Sequence, residues 1–68
     1  MIEVRINGET RRIPDGSTVR SLLETLGLVD RQGTAVAVNL EVVPRGSHAA
    51  TLLQAGDRIE IVQAVGGG

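Results

Sequence analysis

Cysteine, lysine, tryptophan, tyrosine and phenylalanine are all missing from this chain of 68 residues. Each gap removes a class of structure or chemistry. Without cysteine there is neither a disulfide nor a thiolate zinc cluster to support a small fold. Without aromatic rings the core has to be built from isoleucine, leucine, valine and alanine. Without lysine the one primary amine is the N-terminus of Met1, which rules out conjugation between copies through a lysine side chain. A formal net charge of -1 provides no clustered basic footprint, so neither nucleic acid nor an anionic membrane is an expected partner. No apolar run approaches the length of a membrane span, and no basic segment leads into an apolar stretch at the N-terminus. The cytoplasm is the expected compartment.

What is present is enough for one domain with a single layer of sheet against helix. Ile2, Val4 and Ile6 alternate with Glu3, Arg5 and Asn7, the period of a half-buried strand. Asn7-Gly8 is a strong hairpin signal because both residues tolerate positive φ, so Glu9 to Ile13 is expected to return as the antiparallel partner. Pro14, Asp15 and Gly16 form a turn, and Thr18 is placed to cap a helix. Val19, Leu22, Leu23 and Leu26 then fall on one helical stripe, and Gly27 ends it as a left-handed stop. After a polar loop, Ala35 to Val38 and Glu41 to Val43 read as two short strands around Asn39-Leu40. Leu40 is poorly suited to positive φ, so a loose hairpin is expected there. Ser47 to Gln54 is compatible with a short helix or an irregular buried segment. Gly56-Asp57 turns the chain into a last alternating strand, Arg58 to Val62, with Ile59 and Ile61 inward.

This succession matches the β-grasp, or ubiquitin-like, arrangement: an α+β fold with a mixed sheet of about five strands and one helix packed across one face. Residues 1–62 form the expected domain and residues 63–68 a flexible glycine tail. Gly66, Gly67 and Gly68 carry no side chains, so the tail is able to thread a channel too narrow for any Cβ and present the Gly68 carboxylate to a site on another protein.

The runs Ala35-Val36-Ala37-Val38-Asn39, Val42-Val43-Pro44-Arg45 and Gly56-Asp57-Arg58-Ile59-Glu60-Ile61-Val62, with the ending Val65-Gly66-Gly67-Gly68, resemble the thiamine-biosynthesis sulfur carrier family, ThiS, over essentially the whole chain. One departure is Ser21, three residues after Thr18, where many members of that family have a glutamate completing a capping box. The resemblance implies that an E1-like adenylating enzyme activates the Gly68 carboxylate with ATP. Sulfur from a cysteine desulfurase or another persulfide protein then forms a thiocarboxylate, which thiazole synthase consumes. The chain is then a protein co-substrate and not an enzyme. It has no phosphate-cradling glycine turn between strand and helix and binds no cofactor of its own, so the ATP belongs to the partner.

If Val36, Val38, Ile59 and Ile61 face the helix, then Ala35, Ala37, Glu60, Val62 and Ala64, with Val65 following, line a small, rather apolar face suited to partner docking. His48 is the single imidazole, without the neighbours a metal or catalytic pair requires, and reads as a surface or packing residue. Val43-Pro44-Arg45-Gly46-Ser47-His48 reproduces a common thrombin site in mid-chain, where cleavage requires a mobile loop. Two other functions share the glycine ending. A molybdopterin-type sulfur carrier tends to be longer, with aromatic or proline residues before its glycines. A ubiquitin-like protein modifier ends in an isopeptide bond.

Overall fold

The alternation of the first thirteen residues produces a hairpin. In the computed structural model, which describes residues 1–29 and 33–63, β1 (Ile2–Ile6) and β2 (Glu9–Ile13) pair antiparallel with Ile6 opposite Glu9. Asn7 and Gly8 hold φ of 50° and 86°, the left-handed pair of a two-residue turn whose twist matches its strands. Val4 and Ile6 point into the core, while Glu3 and Arg5 are exposed.

Helix α1 (Val19–Thr25) starts and stops for local reasons. Thr18 is its N-cap, with Oγ1 accepting the Ser21 amide at 3.1 Å, and Ser21 Oγ accepts the Thr18 amide at 2.8 Å. Serine therefore completes the capping box that the absence of glutamate had left open. At the other end Gly27 takes φ of 73°. Its amide donates to the Glu24 carbonyl, and the Leu28 amide reaches back to Leu23 at 2.8 Å, the paired bonds of a Schellman stop. The stripe of Val19, Leu22 and Leu23 is buried, and Leu26 packs at its edge.

β3 (Thr34–Val38) and β4 (Glu41–Val43) form the second hairpin. Here the structure differs from the expectation of a loose connection. Val38 pairs directly with Glu41, and Asn39 and Leu40 both adopt positive φ, 52° and 71°. The reason lies outside the hairpin. The Asn39 amide donates to the Arg58 carbonyl at 2.7 Å, and its side chain is bound on both sides, accepting the Arg58 amide and donating to Asp57 Oδ1. These contacts hold the turn tight and impose the left-handed conformation on Leu40.

Residues Arg45–Ala50 form a 3₁₀ helix. His48 is buried within it, with Nε2 3.1 Å from the Val43 carbonyl, which agrees with a packing role. Leu53 joins the core, whereas Leu52 is exposed. β5 (Arg58–Gln63) then enters the centre of a five-stranded sheet of order β2-β1-β5-β3-β4. It lies parallel to β1 and antiparallel to β3, the mixed topology anticipated from the element order. Gln63, placed by sequence at the start of the tail, is still in this strand and pairs with Thr34. The core is wholly aliphatic: Val4, Ile6, Ile13, Val19, Leu22, Leu23, Val36, Leu53 and Ile59. Each such side chain contributes roughly 1.5–3 kcal/mol relative to exposure.

Candidate functional site: the central strand and the open face

β5 is the strand that precedes the glycine ending in the sequence. Backbone pairing with β3 runs the length of the strand, from Val38 opposite Ile59 to Thr34 opposite Gln63. On the other side β1 is shorter and turns away at Asn7. The Asn7 side chain continues the ladder in its place: Oδ1 accepts the Ile61 amide at 2.8 Å and Nδ2 donates to the Ile61 carbonyl at 3.2 Å. Asn7 and Asn39 thus do the same work at opposite ends of β5. Each is the first residue of a left-handed turn and accepts a β5 backbone amide on its Oδ1, although Asn39 gives its Nδ2 to Asp57 Oδ1 whereas Asn7 gives its own to the Ile61 carbonyl. β5 is thus paired on both flanks as far as Ile61 and continues to Gln63 on the β3 side.

The two faces of the sheet separate as alternation predicts. Val36 and Ile59 are buried beneath the helix, and Val38 and Ile61 pack at the margin of the core. On the open face, Ala35 pairs with Val62, and Ala37 lies between Glu60 of β5 and Val42 of β4. Ala35 and Glu60 are exposed, Ala37 is half-buried, and Val62 is 64% exposed. The structure therefore brings Ala35, Ala37, Glu60 and Val62 together. Ala64, Val65, Gly66, Gly67 and Gly68 lie outside the described residues. Sequence reasoning missed Val42, 76% exposed on the same face. Period-two alternation through β4 was the available signal, since the cross-strand partner of an outward Ala37 must also point outward. Leu40, 77% exposed at the neighbouring turn, extends the apolar surface.

On the helix side, a groove of about 350 Å³ opens where β5 ends, with Ile6, Leu26, Leu28 and Ile61 as its apolar wall and Arg11 and Gln63 among its polar lining. Among the described residues no group of histidine, cysteine, aspartate or glutamate is arranged to hold a metal ion. No helix among them is long and apolar enough to cross a membrane.

Residues 4–68 match the model of the ThiS family. The chain is 48% identical over 63 residues to a thiazole synthase of Paramagnetospirillum magneticum, covering 93% of this chain and 19% of that protein. It is 39% identical over 67 residues to a thiazole synthase of Magnetococcus marinus, covering 98% of this chain and 20% of the other. The chain thus spans about a fifth of the length of these two relatives. It is also 37% identical over 68 residues to the sulfur carrier protein ThiS of Escherichia coli, covering 98% of this chain and 100% of that one. The crystal structure of the thiamine biosynthesis protein (ThiS) from Geobacter metallireducens superposes with a TM-score of 0.83 at 28% identity, covering 98% of this chain and all of that one.

Proposed function

Since the chain belongs to the ThiS family, we propose that it is a sulfur carrier of thiamine biosynthesis, with the carboxylate of Gly68 as the group that carries the sulfur. The observation that carries the proposal is positional. β5 pairs with β3 through Gln63 and is held on its other flank as far as Ile61, and the sequence after it is Ala64-Val65 and then three glycines, matched by the family model to residue 68. A fixed strand followed by glycines with no side chains suits delivery of a carboxylate into a narrow site on another protein.

The chemistry follows from the reactivity of a carboxylate. At neutral pH it is a poor electrophile, so an E1-like adenylating enzyme first joins it to AMP, using ATP and releasing pyrophosphate. The terminal sulfur of a persulfide on a cysteine desulfurase or another persulfide protein attacks the acyl carbon and AMP departs; a thiol then cleaves the resulting acyl disulfide, taking the donor's sulfur into a new disulfide and leaving a thiocarboxylate on Gly68. The thiocarboxylate is the sulfur donor to thiazole synthase. Two relatives named thiazole synthase contain a segment similar to 93% and 98% of this chain, which supports that protein as the recipient. In this scheme the chain is a cytoplasmic co-substrate, ATP binds to the activating partner, and Ala35, Ala37, Glu60 and Val62 with Ala64 and Val65 meet the partners while Gly66 and Gly67 thread.

Intact-mass measurement of the protein isolated from its own cells tests this. The expected species is heavier than the free chain by the difference between sulfur and oxygen, and deletion of Gly67 and Gly68 abolishes it. Recovery of the chain solely as isopeptide-linked conjugates of higher mass would assign it to the modifiers instead.

A further inference from the structure

Three arginines stand on the open face: Arg12 on β2, Arg5 on β1 and Arg58 on β5, all exposed. Arg12 lies opposite Glu3 in the β1–β2 ladder, a cross-strand pair of opposite charge. Arg5 and Arg58 are in a different position. The parallel register sets them directly side by side on neighbouring strands, and adjacent like charges repel.

Glu60 borders the same depression, but neither arginine belongs to an ion pair among the described residues. The ion pairs among the described residues join Met1 to Asp15, Arg11 to Glu9 and Arg20 to Glu24. Asp57, next to Arg58 in the chain, spends its carboxylate on the Asn39 side chain and the Gln54 amide. The two guanidinium groups border a shallow depression with Asn7, Gly8, Leu40 and Glu60. The chain as a whole is slightly acidic, so this basic spot is a product of register and not of composition.

We propose that Arg5 and Arg58 are an electrostatic anchor for the adenylating partner, whose docking surface presents carboxylate side chains to them. This rests on the open face being the docking surface. The anchor lies beside the apolar cluster of Ala37, Val42 and Val62, linked to it through Glu60, which pairs with Ala37. That arrangement of an apolar centre with charges at its rim is one in which the charges chiefly set the association rate. Arginine suits the task because its planar fork meets a carboxylate with two parallel hydrogen bonds. A nucleic acid is a poorer occupant, since two cations beside Glu60 neutralise too few phosphates.

The test is the kcat/KM for adenylation by the adenylating enzyme of the same organism, followed by ATP–pyrophosphate exchange across a series of sodium chloride concentrations. For the unaltered chain the rate falls as salt rises. The R5E/R58E variant is expected to be slower at low salt by about tenfold or more and to speed up as salt screens its repulsion from the partner's carboxylates, while R5K/R58K keeps the original fall. Far-UV circular dichroism checks the fold. If R5E/R58E does not fold, R5Q/R58Q decides the matter by a flattened salt profile. A charge-altered variant with the rate and salt profile of the unaltered chain overturns the anchor. Impairment of A37R in the same assay would then leave the docking face standing, whereas a normal rate for A37R as well would remove both.

Discussion

Leu40 is the residue at which local preference and structure disagree. A branched-chain side group at φ of 71° crowds its own backbone, at a cost of about 1–2 kcal/mol. Because the side chain is exposed, little packing among the described residues offsets that cost. The tight turn persists because Asn39 is bound to Asp57 and Arg58. Leu40→Gly is expected to raise stability by about 0.5–1 kcal/mol, the relieved strain less the extra entropy lost by glycine on folding. Urea unfolding followed by far-UV circular dichroism, the suitable probe in a chain without aromatic residues, measures this. An unchanged or lower midpoint would show that Leu40 is not strained. Asn7 teaches the complementary lesson. Its place in an Asn-Gly turn is plain in the sequence, whereas its bonds to Ile61 span most of the chain and follow from the parallel pairing of β1 with β5.

At the scale of elements, helix α1 is short and its ends carry much of its stability. Ser21→Ala removes both the acceptor for the Thr18 amide and the hydroxyl bonded to the Thr18 carbonyl, and a loss of about 1 kcal/mol is expected. Ser21→Glu, which restores the more usual partner in the box, is expected to lie close to the unaltered chain in the same urea experiment. Equal midpoints for the alanine and unaltered proteins would mean that the box adds nothing. The 3₁₀ helix offers a second test. Arg45-Gly46 sits at its start, with the Ser47 amide bonded to the Pro44 carbonyl and His48 packed beneath. A protease needs this stretch extended, so the native protein is expected to survive overnight thrombin treatment while a peptide spanning Glu41 to Ala50 is cut. Intact mass decides, and a nicked native chain would show that the segment opens readily. The boundaries of β1, β2 and β4 were legible from alternation and turn residues. The 3₁₀ helix was not, because Ser47 to Gln54 has no clear period and its burial is decided by contact with α1 and β4.

For the whole molecule, the aliphatic core supports one face of the sheet and leaves the other open. Ala37 is at the middle of that open face, between Val42 and Glu60. Ala37→Arg is expected to reduce adenylation by about tenfold or more while changing stability by less than about 1 kcal/mol, because a large charged group blocks close approach but disturbs no core contact. Pyrophosphate exchange and urea unfolding separate the two effects. A variant that is adenylated normally would remove Ala37 from the docking surface.

The linear chain, taken alone, determined the order of strands and helix, the aliphatic core and the inward and outward faces of β3 and β5, because alternation, helical periodicity and turn chemistry act over a few residues. The tertiary structure decided the remainder. The side-by-side placement of Arg5 and Arg58 and the forced conformation of Leu40 arise from contacts between residues far apart in the chain, and only the folded sheet brings those residues within reach.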